Sequence, residues 1–181
     1  TVAVSSGRMG DDVVLDTPGI YGVSSFNDEE TVARDIVLEA DVILNVVDAV
    51  HLERDLFLTQ QVIDLGIPVV VALNMLDTAL GLGLAVDAAK LAERLGVPVV
   101  PIVAARGEGA DQLRRAIAGA IKSPAAPPAR RWQLEAGAES TLAAIASRLP
   151  DRSNGVPAPT RPEGEAAWLL ATLAAARDAA T

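Results

Sequence analysis

The sequence contains no cysteine, which excludes a disulfide scaffold and any metal site built on thiolates. Aromatic residues make up only 3% of the 181 residues although half are hydrophobic, so we predict an aliphatic core. Basic residues are also scarce: 15 of them stand against 24 acidic residues, and the formal net charge is −9. Since no basic stripe offsets the repulsion from phosphates, this balance argues against nucleic acid as a partner.

What the sequence has instead is an alternation of short apolar runs with segments of helical pattern. Strands are predicted at residues 12–16, 42–47, 67–73 and 97–103, and helices at 27–39, 52–65, 87–95 and 110–121. This alternation is typical of βαβ units, so we predict an α/β fold with a mostly parallel sheet. We expect the strand at 42–47 to be buried on both faces, as parallel strands usually are.

The chain beyond residue 122 has a different composition. Residues 123–129 are rich in Pro and Ala, which is typical of a linker, and helical stretches follow at 131–149 and 163–180. We therefore predict a first domain at 1–122, a linker at 123–129 and a small helical domain at 130–181. No apolar run approaches the roughly 18–20 residues that span a bilayer, so we expect this stretch of chain to be soluble.

Three predicted strands end in residues that suit a nucleotide, which open α/β sheets bind at the carboxyl ends of their strands. The first group is Asp16-Thr17-Pro18-Gly19, a D-x-x-G motif. An Asp that leaves a strand can hold Mg²⁺ through water, and a Gly lets a backbone N–H approach a γ-phosphate. Taken alone, the same residues also fit an ordinary strand-to-turn connection.

The second group is Asn74-Met75-Leu76-Asp77, an N-x-x-D motif, and the third is Ala104-Ala105-Arg106. The carboxylate of Asp77 can accept from the N1 and N2 donors of guanine, a pairing that adenine does not offer. Asn74 can support the loop and reach the base edge, although a helix cap is an alternative for either residue. In the third group a backbone N–H can meet guanine O6 while the Arg106 side chain packs on the base.

The order of the three motifs narrows the interpretation. A D-x-x-G, then an N-x-x-D, then a small-small-basic loop, each at a strand end, is the arrangement of a GTPase G domain. The three together arise by chance far less often than any one of them. We therefore predict a P-loop-NTPase-like G domain that binds GTP and GDP.

One longer stretch resembles a particular family. Residues 45–59 (NVVDAVHLERDLFLT), 65–68 (LGIP) and 72–77 (ALNMLD) resemble the cytosolic G domain of bacterial ferrous-iron transporters of the FeoB family. Met75 stands where other G domains usually carry Lys, and this exchange is itself a mark of that family. Thr17 departs from the Leu that is common at its position. The resemblance covers residues 1–121 and continues more loosely over the predicted helical domain.

The resemblance implies a GTPase at the cytoplasmic face of the bacterial inner membrane, next to the transporter's own membrane domain. It implies that Thr1 and Asp16 bind Mg²⁺, Asp16 through water, and K⁺ is a second candidate cofactor. It also implies that Thr1 and the three motifs described above contact the nucleotide, while no catalytic side chain is assigned. Self-association into a homo-oligomer is left open.

The phosphate-binding loop G-x-x-x-x-G-K-[ST] does not occur in this sequence. Since Thr1-Val2 resembles the Thr-Val of the family's switch-I motif, we expect the P-loop to precede this sequence in the intact protein. Without the P-loop strand, the strands at 12–16 and 42–47 should expose apolar edges. We also expect this stretch alone to be inactive as a GTPase.

Two other functions are compatible with the motifs. One is a soluble GTPase of the Era or TrmE type acting on RNA, but that reading needs a basic RNA-binding domain, and the helical stretches at 130–181 offer none. The other is an interaction module that binds nucleotide weakly or not at all. The acidic residues 28–30 could meet Fe²⁺, although a helix start with favourable charges is the preferred interpretation.

Overall fold

The computed structural model describes residues 4–20, 28–125, 128 and 136–147. Two compact units divide the chain, one formed by Thr1–Ala40 with Leu134–Thr181 and the other by Asp41–Gln133. The elements in chain order are β1 (Ser5–Met9), β2 (Asp12–Asp16), α1 (Asp28–Glu39), β3 (Ile43–Asp48), α2 (Leu52–Asp64), β4 (Val69–Asn74), α3 (Leu76–Gly81), α4 (Ala88–Leu95), β5 (Val99–Pro101), a 3₁₀ turn (Ala104–Arg106), α5 (Ala110–Lys122) and α6 (Ala136–Ala146).

The second unit is built on a parallel sheet with the strand order β3-β4-β5, which confirms the predicted α/β class. The central strand β4 forms the core, and its residues Val70, Val71 and Leu73 are completely buried. Helices α2 and α5 both contact β4, so aliphatic side chains enclose it. This burial explains why the sequence of β4 is apolar without alternation.

The expectation that the strand at 42–47 is buried on both faces is wrong. Ile43 and Val47 of β3 are buried, but Leu44 and Val46 are 39% and 59% exposed. In the described part of the chain β3 has β4 as its neighbour on one side and no strand on the other. An edge strand covered on one face alternates between buried and exposed side chains even when all of them are apolar.

Two helices of this unit, α2 and α4, end at glycines where the sequence predicts them. Gly66 follows α2 with a φ of 78°, and Gly96 ends α4 with a φ of 73°. The left-handed conformation costs glycine little and closes the last turn of a helix. At the other end of α4, an Asp87 carboxylate oxygen accepts from the backbone N–H groups of Ala89 and Lys90, both at 3.0 Å.

In the first unit, β1 and β2 form an antiparallel hairpin with Ser5 opposite Asp16 and Met9 opposite Asp12. The apolar residues 13–15 of β2 are all exposed. Helix α1 begins at Asp28, which confirms the predicted helix and favours the helix-start interpretation of residues 28–30. Helix α6 lies within the predicted stretch 131–149, while the predicted helix at 163–180 falls outside the described residues.

A buried hydrogen-bond chain joins α2 to β3. Thr59 is completely buried, its hydroxyl donates to the Asp55 carbonyl at 2.9 Å, and it accepts from Asn45 Nδ2 at 2.7 Å. Asn45 itself is only 8% exposed. The hydroxyl therefore satisfies an amide that solvent barely reaches.

We expect Thr59→Val to lower the free energy of unfolding by about 1–3 kcal/mol, because it leaves the buried Asn45 amide without its partner. Urea unfolding measures this change. Thr59→Ser keeps the hydroxyl and removes one methyl group, so it should cost about 1 kcal/mol. Equal stability of the valine variant and the wild type would contradict a net contribution from the hydrogen bond.

Candidate nucleotide site

The carboxyl ends of the parallel strands meet at one edge of the sheet. Asp48, the last residue of β3, lies opposite Asn74, the last residue of β4, and the chain after β5 enters the 3₁₀ turn Ala104–Arg106. The predicted N-x-x-D motif and the small-small-basic loop are therefore neighbours in the structure. This is the edge at which open α/β sheets bind ligands.

Asn74 connects the three strand ends. Its backbone carbonyl accepts from the N–H of Ala49 at 3.0 Å, and its side-chain Oδ1 accepts from the N–H of Ala104 at 3.0 Å. The geometry agrees with the predicted support of the loop by Asn74. Its contact with a base stays a prediction.

Met75 adopts a left-handed backbone with a φ of 62° and is the only described residue besides glycine with a positive φ. It is the N-cap of α3, and its carbonyl accepts from the N–H of Ala79 at 3.0 Å. Such a conformation costs an L-residue about 1–2 kcal/mol. Strain of this kind often marks functional loops, and here it sits between the two polar residues of the motif.

Asp77 lies in the first turn of α3 with its side chain 37% exposed. Arg106 Nη1 lies 3.2 Å from Asp77 Oδ2, and Arg106 Nε donates to Glu108 Oε1 at 2.7 Å. The sequence-based interpretation placed Arg106 on the base and did not include Glu108. The structure shows Arg106 hydrogen-bonded to Glu108 and ion-paired with Asp77, and no sequence signal links Asp77 to a residue so far along the chain.

The loop that carries Arg106 is held by its own backbone. Val103 N–H donates to the Glu108 carbonyl at 3.1 Å, and Arg106 N–H donates to the Val103 carbonyl at 3.0 Å. Gly109 has a φ of 80°, and the N-terminal end of α5 follows it directly. Beside this loop lies a cleft of about 300 Å³, lined by Leu76, Asp77, Leu80, Pro101, Ile102, Val103, Arg106 and Glu108.

A second polar group occupies the end of β3. His51 Nδ1 lies 2.8 Å from Asp48 Oδ2, while Asp48 Oδ1 accepts from the N–H of Val50 at 2.8 Å. The hydrogen bond from His51 lowers the pKa of Asp48, burial opposes this, and the Val50 N–H lowers the pKa further. The sequence predicted a solvated His51, and its side chain is indeed 58% exposed, but its bond to Asp48 was missed.

We expect His51→Ala to raise the pKa of Asp48 toward the ordinary aspartate value of about 3.9. Because the folded pKa is lowered, the stabilising contribution of Asp48 is present above that value and is lost as the pH falls through the lowered pKa. An NMR titration of the Asp48 carboxyl carbon measures the shift. Glu53→Ala, an exposed change in the same helix, is the control, and an unchanged titration in His51→Ala would contradict the assigned cause.

The D-x-x-G motif lies in the other unit. Asp16 is the last residue of β2 and is exposed, and residues 17–19 follow it without regular structure. One exposed carboxylate suits Mg²⁺, which keeps several waters and usually takes one or two protein carboxylates. Thr1, the other predicted ligand, lies outside the described residues. Among those that are described, no group of three or more His, Asp or Glu side chains could hold a metal ion by itself.

Within the described ranges, no helix combines the length and apolar character needed to cross a membrane.

An α/β unit with a parallel sheet, whose N-x-x-D and small-small-basic motifs meet at the carboxyl edge, defines the fold class of GTPase G domains. Residues 1–117 match the family model described as "Ferrous iron transport protein B". The chain belongs to this family.

The curated relatives extend well beyond the matching segment. The Fe(2+) transporter FeoB of Salmonella typhimurium is 44% identical over 110 residues, and that of Escherichia coli K12 is 43% identical over 110 residues. Each match covers 58% of this chain and 14% of the relative. The chain thus spans a small fraction of the length of these transporters.

Solved structures show the same fold. NFeoB from S. thermophilus bound to GDP, AlF4⁻ and K⁺ superposes with a TM-score of 0.79 at 37% identity, covering 98% of this chain and 70% of that one. The mGMPPNP-bound form from S. thermophilus gives 0.75 at 38% identity, with coverages of 97% and 67%. The cytosolic domain of L. pneumophila FeoB gives 0.74 at 33% identity, with coverages of 92% and 70%.

Proposed function

We propose that this chain supplies the base-recognition part of a guanine-nucleotide site in the G domain of a ferrous-iron transporter. The hydrogen bond from Ala104 N–H to Asn74 Oδ1 carries the proposal, because it joins two separate motifs into one site at the carboxyl edge of the sheet. Solved relatives at 37% and 38% identity hold a GTP analogue or GDP with AlF4⁻, which supports a guanine nucleotide as the ligand.

In this proposal each described residue has a defined task. Asp77 accepts from the N1 and N2 donors of guanine, and Asn74 holds the loop that closes over the base. The backbone N–H of Ala105 would meet guanine O6, since those of Ala104 and Arg106 already donate to Asn74 Oδ1 and to the Val103 carbonyl. Asp16 would hold Mg²⁺ through water, and the Gly19 N–H would approach the γ-phosphate; the bound ion would supply positive charge that neutralises the phosphates.

The larger protein provides the setting. We propose a G domain at 1–122, a linker at 123–129 and a helical domain at 130–181 that connects to the transporter's membrane domain at the cytoplasmic face of the inner membrane. K⁺ is proposed as a second cofactor because one solved relative holds it together with GDP and AlF4⁻. Self-association of the intact protein is a further proposal. The chemical activity we propose is hydrolysis of GTP to GDP and phosphate.

Calorimetry on the intact protein tests the nucleotide class. We expect GDP and GTP to bind while ADP and ATP do not, since adenine presents no donor pair to Asp77. Equal binding of adenine and guanine nucleotides would overturn the base assignment, and binding of neither would identify an interaction module. Tight RNA binding at physiological salt would favour the RNA-acting alternative instead.

The residue after Gly19 is informative about hydrolysis. Ras-like enzymes place there a Gln that orients the attacking water, whereas this chain has Ile20, which offers no donor or acceptor. We expect slow intrinsic GTP hydrolysis by the intact protein and little change in Ile20→Ala. A hundredfold loss of rate, about 2.7 kcal/mol of barrier, would show that the Ile20 side chain takes part in catalysis.

A further inference from the structure

The loop after β5 is attached to the N-x-x-D segment at two points. Ala104 N–H bonds to Asn74, the first residue of the motif, and Arg106 Nη1 pairs with Asp77, the last. The first contact fixes the loop backbone. The second acts on the carboxylate that reads the base in the proposed function.

Arg106 is the only side chain of the 3₁₀ turn that can donate a hydrogen bond, because Ala104 and Ala105 carry none. Asp77 is 37% exposed, so without a partner its carboxylate would rotate among several orientations in contact with water. A guanidinium presents its donors in a rigid planar fork, which restricts the direction of a bound carboxylate more strongly than an ammonium does.

Glu108 holds Arg106 in place from the other side. The Arg106 Nε to Glu108 Oε1 distance is 2.7 Å, shorter than the 3.2 Å between Arg106 Nη1 and Asp77 Oδ2. Arg106 is thus bound mainly to Glu108 and more weakly to Asp77. A carboxylate oxygen has two lone pairs, so Asp77 Oδ2 can keep Arg106 as a partner and still accept from a ligand.

We propose that Arg106, oriented by Glu108, is a positioning residue that sets the Asp77 carboxylate to accept both donors of guanine and so determines the selectivity for guanine. This inference rests on the proposed guanine-nucleotide function. Arg106 acts here through Asp77 and needs no contact with the base. This role of Arg106 should be visible as selectivity against inosine nucleotides. Their base, hypoxanthine, keeps the N1–H donor of guanine but lacks its N2 amino group.

The experiment compares GDP and IDP affinities of the intact protein by calorimetry. In Arg106→Ala we expect GDP to bind about tenfold more weakly, while the affinity for inosine diphosphate (IDP) changes about twofold or less. The Kd for IDP divided by the Kd for GDP should therefore fall. Arg106→Lys keeps the charge without the fork and should restore the GDP affinity partly. Arg114→Ala removes a similarly exposed arginine that pairs with Asp111 in α5, and it should change neither affinity.

A second arm asks whether Arg106 acts through Asp77. In the Asp77→Ala background, Arg106→Ala should no longer change the ratio of the IDP and GDP dissociation constants, because no acceptor remains at position 77 for Arg106 to orient. If Arg106→Ala weakened the binding of GDP and IDP equally, Arg106 would have a structural or general electrostatic role. If the variant bound GDP more tightly, Arg106 would be competing with the base for the Asp77 carboxylate. Either result overturns the proposal. Failure of the wild type to bind GDP would instead overturn the proposed function, and the two failures are therefore distinguishable.

Discussion

Replacing Asp77 with Asn should weaken GDP binding by the intact protein by about 5- to 150-fold and improve binding of XDP. The exchange substitutes a donor for one of two acceptors, and an unmatched polar group in a binding site costs about 1–3 kcal/mol. Arg106 should strengthen this change of base preference by fixing which way the new amide of the Asp77→Asn variant points. It needs an acceptor at the position of Asp77 Oδ2, so it would hold the amide oxygen of the variant and leave the NH₂ group for the base. Xanthine carries a carbonyl where guanine carries its amino group, and it can accept from that NH₂.

Calorimetric titrations with GDP and XDP measure this switch. Asp111→Asn makes the same chemical change on the exposed side of α5, where Asp111 pairs with Arg114, and should leave both affinities unchanged. If the Asp77→Asn protein bound GDP as tightly as the wild type, the N-x-x-D segment would not be the base-reading element.

Gly109→Ala should reduce the free energy of unfolding by about 2–5 kcal/mol and impair nucleotide binding. Gly109 has a φ of 80°, and a Cβ atom there would lie 2.9 Å from Ile102 Cγ2 and would also clash with the Pro101 carbonyl oxygen. The left-handed conformation costs alanine about 1–2 kcal/mol, and forced overpacking adds about 1–3 kcal/mol. Relief of the clash would displace the loop that carries Arg106 and its Val103–Glu108 hydrogen bond.

Gly107 provides the matched control for this prediction. Its φ is 70°, but an added Cβ would meet no atom within 4 Å. Gly107→Ala should therefore lower the free energy of unfolding only by the cost of the left-handed backbone, about 1–2 kcal/mol. Urea unfolding of both variants separates the two causes, and equal losses would show that the clash with β5 contributes nothing.

The sequence predicted those parts of the fold that depend on local pattern. The burial of β4, the glycine that ends α4 and the start of α1 all follow from apolar runs, caps and charges within a few residues. Strand β1 was missed because its sequence, SSGRM, has no apolar alternation, and only its pairing with β2 makes it a strand. The short helix α3 was missed because its N-cap, Met75, carries no capping side chain and adopts a backbone that methionine rarely takes.

The motifs of the candidate site were predicted, but most of the contacts within it were not. Strand order placed Asn74 and Ala104 at one edge of the sheet, since parallel strands end together. The ion pair of Asp77 with Arg106 and the role of Glu108 depend on how the loop turns at its glycines, which motif spacing does not encode. Exposure of β3 likewise depended on its neighbours in the sheet and not on its own composition.

The two bonds to Asn74 also have a consequence for slow backbone dynamics. The amide hydrogens of Ala49 and Ala104 lie far apart in the chain, yet both are bonded to this one residue. Hydrogen exchange at either amide requires its bond to open, and displacement of Asn74 opens both at once. These two amides should therefore exchange with deuterium at correlated rates, and a ligand that immobilises Asn74 should slow both together.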